Sequence, residues 1–290
     1  MKTSFELVLE GEDPSYLRSA GEEALEEVER VEEQLSFFLP SSEVSWINRM
    51  GYPGPLKVEP RLLSLISRSL QICRETGGAF DITATPLLSC WGITERRPRS
   101  PKEWEIRRAL ELVGPDKIEV DLRERSLRFK RDGVSISLGG IGKGYAVWRA
   151  AKILEEKRIE SAVISGGGST IYALKGKGWR IGIVDPVEPK RRVAVIRIDG
   201  MAISTSSTVD GDGNPHIVDP RTGMICEGVR SVSVVCEDPV MADALSTAFL
   251  VMDRDEVASF CRSHEGVAAI FPSPSGRVER IGMDLDLEEV

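Results

Sequence analysis

Four short segments of this chain carry residues whose types and spacing can do chemistry. The first is Leu138-Gly139-Gly140-Ile141-Gly142-Lys143-Gly144-Tyr145. Glycines between an extended run and a helical one permit positive φ and leave backbone N–H groups bare, and such amides at a helix start suit a phosphate. Lys143 adds a point charge. The segment lacks the Gly-Lys-Ser/Thr of a P-loop and the spaced glycines of a dinucleotide fingerprint, so alone it reads as a strand-to-helix turn. The second is Ala242-Asp243-Ala244-Leu245-Ser246-Thr247. Asp243 and Thr247 stand four residues apart and share a helix face. A carboxylate beside a hydroxyl suits a hard cation such as Mg²⁺, which keeps water and phosphate oxygens in its other positions. The plain alternative is an Asp favoured by the helix dipole and a Thr bonded back to a carbonyl.

The third is His216-Ile217-Val218-Asp219-Pro220-Arg221-Thr222-Gly223. Asp-Pro and Thr-Gly are turn dipeptides. A turn would bring His216 and Asp219 together as an acid–base pair, or Asp219 would cap its own backbone. Together these three segments would make a magnesium–pyrophosphate site. The fourth, Gly77-Gly78-Ala79-Phe80-Asp81-Ile82-Thr83, has small residues that admit a flat ligand and an Asp81 able to accept from a base or ribose. It reads equally as a helix stop followed by an Asx turn.

Elements to position these residues are legible around them. Residues 4–10 alternate as a strand. Asp13-Pro14 opens a helix with Leu17, Ala24, Val28, Val31 and Leu35 on one face and a glutamate-rich solvated face. A second helix is expected from Pro60 to Thr76, stopped by Gly77-Gly78. Residues 86–92 are short and apolar, 94–103 form a loop, and Trp104–Leu112 is helical. Val120-Asp121 and Leu127–Phe129 pair as a hairpin. Val134–Leu138 reads as a strand into the glycine segment, with a helix over Tyr145–Lys157. Strands follow at Ser161–Ile164, Trp179–Val184, Val193–Ile198 and Ser231–Cys236. Then come helices over 240–252 and 255–263 and a terminal strand at Ala268–Phe271. Strands group in meanders more than in strict βαβ alternation, which predicts an α+β fold.

The totals set bounds. At 290 residues the chain is one large domain or two intimate ones. A net charge of −8 excludes a general nucleic-acid binder, whose phosphate contacts need clustered Lys and Arg. Five cysteines without a CxxC pair give neither a disulfide framework nor a zinc site, and two histidines exclude a multi-His centre. No run approaches the ~20 apolar residues of a membrane span, so none is expected. The first residues lack a basic stretch followed by an apolar one; a cytoplasmic location is expected, or a periplasmic or membrane-associated one if an export signal was trimmed.

In order along the chain, the motifs resemble those of the ApbE-type FAD:protein FMN transferases. They are Ser36-Phe37-Phe38-Leu39-Pro40-Ser41-Ser42-Glu43 followed by Asn48, Gly77–Asp81, Pro86-Leu87, Trp91-Gly92, Leu138–Ala146, Trp179–Pro186, Ser204-Thr205-Ser206, His216–Gly223 and Ala242–Thr247. The likeness runs from about residue 4 to 285. It implies an α+β, T-fold-related ApbE-like fold, a single large domain over 1–290 with mixed or antiparallel sheets flanked by helices. It further implies Mg²⁺-dependent transfer of FMN from FAD to a Thr or Ser hydroxyl of an acceptor flavoprotein, with AMP released. An FAD-binding protein without transfer, or an FAD pyrophosphatase giving FMN and AMP, would use the same site. By matching positions, the resemblance implies Mg²⁺ ligation by Asp243, Thr247 and the main-chain oxygen of Gly140. Lys143 would lie near the phosphates, Phe38 against the flavin, and Ala79, Phe80 and Asp81 at the adenosine. Val218 would touch FAD through its backbone, and His216 or Asp219 would deprotonate the acceptor. Ser137 stands where the family commonly has an Asp that grips FAD, and Trp148 where it often has another Asp.

Overall fold

The computed structural model describes residues 3–188, 190–210, 212–228, 230–273 and 277–290. In chain order the elements are β1 (Phe5–Glu10), α1 (Pro14–Leu35), α2 (Glu43–Met50), β2 (Leu56–Lys57), α3 (Pro60–Glu75), α4 (Thr85–Cys90), α5 (Glu103–Leu110), β3 (Ile118–Asp121) and β4 (Ser126–Phe129). They continue with α6 (Gly142–Glu156), β5 (Ser161–Gly166), β6 (Thr170–Ala173), β7 (Trp179–Val184), β8 (Arg192–Ile198), β9 (Ala202–Ser207) and β10 (Ser231–Cys236). Last come α7 (Pro239–Val251), α8 (Arg254–Ser263), β11 (Ala268–Pro272), β12 (Val278–Gly282) and β13 (Leu287–Glu289). They gather into two compact units interleaved in sequence. One comprises Met1–Glu32, Ile141–Thr208 and Gly228–Val290; the other comprises Glu33–Gly140 and Val209–Glu227.

The first unit is built on an antiparallel sheet in the order β1-β5-β6-β9-β10-β11-β12. Because side chains alternate across a strand, each of its strands serves two layers. Val163, Ala173, Ile203, Val235 and Ile270 point to one side and pack with Ile183, Val193, Ile196 and Ile198 of the small sheet β13-β8-β7. The helices α6 and α7 pack on the other side and against each other. Nearly all of α7 is buried, so its polar residues sit where burial without a partner is costly. Asp238 caps it, its Oδ1 accepting from the Val240 N–H at 2.9 Å. Asp13 caps α1 likewise, accepting from Ser15 and Tyr16.

The second unit holds the sheet β2-β4-β3 and the helices α2 to α5. Leu87, Cys90, Ile106, Ala109 and Val218 form one of its cores. Gly77 and Gly78 take positive φ (+59° and +85°) and end the α3 segment, as their spacing predicts. Val134–Leu138 alternates like a strand but is not one. Its ladder partner is a side chain: the Asn48 carboxamide accepts from Ile136 N–H at 2.8 Å and donates to Ile136 C=O at 2.9 Å. The five cysteines form no disulfide among the described residues, and four are buried core residues. Among the described residues, no helix is long and apolar enough to cross a membrane.

Candidate functional site

In the first unit, the chain brings Lys143 and Asp243 together. Asp243 lies in the second turn of α7, 1% exposed. It is not a cap, since Asp238 fills that role. Its Oδ2 accepts from the Gly144 N–H at 2.9 Å. Its Oδ1 accepts from the hydroxyls of Thr170 at 3.2 Å and Ser204 at 3.3 Å, with the Lys143 ammonium at 3.4 Å. Thr247 follows one helical turn later and is half-buried. Ser246 bonds back to the Asp243 carbonyl at 2.9 Å, whereas Thr247 makes no such bond among the described residues. Its hydroxyl is therefore available.

The start of α6 leaves backbone amides of the kind that could meet an anion. Ile141 stands at its N-cap without a side-chain cap, so the Gly142 and Lys143 amides have no acceptor from the cap residue. The Gly144 N–H, third in the helix and one of the amides with no carbonyl of the helix to bond, goes to Asp243. One expectation needs correcting: none of Gly139, Gly140, Gly142 and Gly144 takes a positive φ. At Gly144 the reason for glycine is close approach. A Cβ there would run into the Pro239 carbonyl oxygen and lie 2.8 Å from Asp243 Cβ.

In the second unit, the expected ligand-side residues fall into three places. Phe38 is 64% exposed, with its ring edge-on to Phe37 at 5.3 Å. Ala79 and Phe80 are buried, and their N–H groups go to the Thr76 carbonyl and hydroxyl. Asp81 is half-buried and forms the Asx turn, accepting from Thr83 N–H at 2.7 Å and Thr83 O–H at 2.6 Å. Burial raises its pKa above the ordinary carboxylate value despite these donors. Ser137 donates its N–H to the Ile82 carbonyl, which seats it one residue from Asp81 along the turn.

The His216 segment forms a tight arch. Cys226 N–H bonds to Ile217 C=O at 2.8 Å and Asp219 N–H to Met224 C=O at 2.8 Å, flanking the Val218–Ile225 bridge. Val218 is the residue between, so its own N–H and C=O point away from the ladder, as alternate residues of an antiparallel pair do. Asp219 anchors the turn: Arg221 holds its Oδ1 from Nε at 3.1 Å and its Oδ2 from Nη2 at 3.2 Å, and Gly223 N–H bonds to its carbonyl at 2.7 Å. The Trp91 indole N–H donates to the Gly223 carbonyl at 2.8 Å and ties the arch to the α4 segment. The Asp219 carboxylate also accepts from the Arg221 N–H at 2.8 Å, the backbone capping that the sequence offers beside acid–base work.

Asp243 and Thr247 offer a carboxylate and a hydroxyl, oxygen donors of the kind that could hold Mg²⁺, which takes one or two carboxylates and completes its shell with water and phosphate. Among the described residues no three His, Cys, Asp or Glu side chains stand together as a metal cage. Sequence reasoning missed Thr170 and met Ser204 and Ser246 only as parts of motifs. Their common signal is a hydroxyl on a strand or helix face otherwise filled by small apolar residues.

The chain matches the ApbE family over residues 1–271. It is 27% identical over 291 residues to the FAD:protein FMN transferase of Escherichia coli K12, covering 95% of this chain and 83% of that protein. The ApbE protein of Thermotoga maritima has a crystal structure that superposes with a TM-score of 0.86 at 31% identity, over 96% of this chain and 94% of that one. The flavin transferase ApbE from Vibrio cholerae gives a TM-score of 0.80 at 27% identity, over 97% and 94%.

Proposed function

The chain belongs to the ApbE family, and on that premise we propose that it is an FAD:protein FMN transferase. It moves FMN from FAD onto a threonine or serine hydroxyl of an acceptor flavoprotein, with Mg²⁺ required and AMP released. The observation that carries this reading is the Asp243 carboxylate, buried without a capping role, beside Lys143 and one turn before an available Thr247 hydroxyl.

The chemistry asks mainly for charge neutralisation and alignment. The acceptor hydroxyl oxygen attacks the FMN phosphorus, the bridging P–O bond breaks, and AMP leaves with the electron pair. Bound Mg²⁺, held by Asp243, Thr247 and the Gly140 carbonyl, would withdraw charge from the diphosphate. Lys143 and the first amides of α6 bind phosphate oxygens. His216 takes the acceptor proton on an imidazole nitrogen, as a general base does; Asp219, gripped on both oxygens by Arg221, keeps the arch in shape. Phe38 offers a ring face to the flavin, the turn at Asp81 receives the adenosine, Val218 contributes backbone, and Ser137 binds FAD less strongly than an Asp would.

Incubation with FAD, Mg²⁺ and a flavoprotein acceptor tests the reading. AMP formed only with acceptor, together with a covalently fluorescent acceptor, supports transfer. AMP without acceptor means a pyrophosphatase, and no AMP under either condition means a binding protein.

A further inference from the structure

Asp243 does not stand alone: it terminates a buried chain of hydroxyls that crosses from the sheet to α7. Thr170 and Ser204 face each other directly in the β6–β9 ladder, their hydroxyls 3.0 Å apart, and both reach Asp243 Oδ1. Both residues are fully buried. Beyond them Ser246 lies 3.4 Å from Ser204 and 2.8 Å from Ser206, which is half-buried at the far end.

Each hydroxyl has one proton to give and two lone pairs to receive. Ser246 gives its proton to the Asp243 carbonyl, so its oxygen accepts from Ser206. Thr170 and Ser204 cannot both donate to each other. The carboxylate is a stronger acceptor than the Ser246 hydroxyl and lies nearer to both, so at least one proton of the pair goes to it. With Gly144 N–H on Oδ2, the carboxylate plane is fixed from both ends by donors that belong to rigid elements.

We propose that Thr170 and Ser204 are positioning residues that orient the Asp243 carboxylate for the divalent cation. The inference rests on the metal role proposed above for Asp243. Partners one shell behind a metal ligand set its orientation, and their loss typically costs about 10–100-fold in metal affinity. A purely structural hydroxyl would instead affect stability equally with and without metal.

The test is titration of Mn²⁺ into the protein with FAD present, followed by electron paramagnetic resonance, beside thermal denaturation of the metal-free protein. Thr170→Val and Ser204→Ala should each bind Mn²⁺ about 10-fold or more weakly, while Thr170→Ser and Ser204→Thr should bind within about threefold of wild type because the donor is kept. Unchanged Mn²⁺ affinity in Thr170→Val and Ser204→Ala, with Asp243→Asn unable to bind, overturns this inference alone. Mn²⁺ binding to Asp243→Asn as tight as to wild type overturns the metal reading and this inference with it. Should Thr170→Val not fold, Thr170→Cys keeps a similar volume with a weak donor and must show the loss; normal affinity there is equally fatal.

Discussion

The Gly144 N–H donates to Asp243 Oδ2 across the contact between α6 and α7, and no side chain fits at that point because the Pro239 carbonyl oxygen occupies the space a Cβ needs. One glycine thereby sets both the approach of two helices and the orientation of the buried carboxylate. Gly144→Ala tests this. In an open helix the change would stabilise by up to ~1 kcal/mol. Here the obstacle is backbone, which cannot rotate away, and overpacking typically costs about 1–3 kcal/mol. A net fall in Tm of about 2 °C or more is expected in a melting curve, with weaker Mn²⁺ binding. A variant as stable as wild type would show that the helices separate without cost.

Asp243→Asn should leave the fold and remove the reaction. The amide retains one acceptor for Gly144, and the Thr170 and Ser204 hydroxyls can rotate to accept from its NH₂ group. What disappears is the negative charge facing Lys143. AMP release with FAD, acceptor and Mg²⁺ should drop on the order of 10²-fold or more, the scale seen when one electrostatic stabiliser is lost, and cease to depend on Mg²⁺. Turnover within a few-fold of wild type would remove Asp243 from the metal site.

Asp81 sets up a pH-dependent contrast. Burial raises its pKa in the folded protein above the unfolded value of 3.8. The native state therefore binds more protons than the unfolded state between those two values, so this residue lowers stability as pH rises through that window. Asp81→Asn keeps an oxygen for Thr83 and removes the buried charge. It should melt higher than wild type at pH 7, and the advantage should vanish below about pH 3.8, where both proteins are neutral at this position. Tm measured against pH checks the sign, and FAD titration of the same variant should show weaker binding. An Asn variant that melts lower at pH 7 would mean the charged form is the favoured one.

The sequence is legible where one segment carries its own pattern. The Leu62, Leu63, Leu65, Ile66, Leu70 and Ile72 spacing lies on α3 as expected, and Trp179–Val184 is a strand to the residue. It misleads where the partner is remote. Val134–Leu138 has a strand's alternation, yet Asn48 answers it with a side chain. Ala202–Ser207 is too polar to stand out as a strand, yet β9 lies in the middle of the large sheet because its hydroxyls pair with Thr170, Ser233 and Ser246. The short helix α2, capped by Ser42, hid in eight residues, and two strands follow the one expected to be last. Asp243 was visible as a motif, but the hydroxyls behind it depend on a register joining residues 34 apart, which no local spacing encodes.

Phe38 separates ligand binding from stability. An aromatic side chain 64% exposed contributes little to a core, so Phe38→Ala should change stability by no more than about 0.5 kcal/mol. If its ring stacks on the flavin, truncation removes a contact of about 1–3 kcal/mol, which corresponds to FAD binding weaker by roughly 5–150-fold. Phe38→Tyr keeps the ring face and should bind at least as tightly as wild type. Quenching of flavin fluorescence on titration reads each dissociation constant, and Tm controls for folding. Equal FAD affinity in Phe38→Ala would place the flavin elsewhere and leave this exposed ring to contact the acceptor instead.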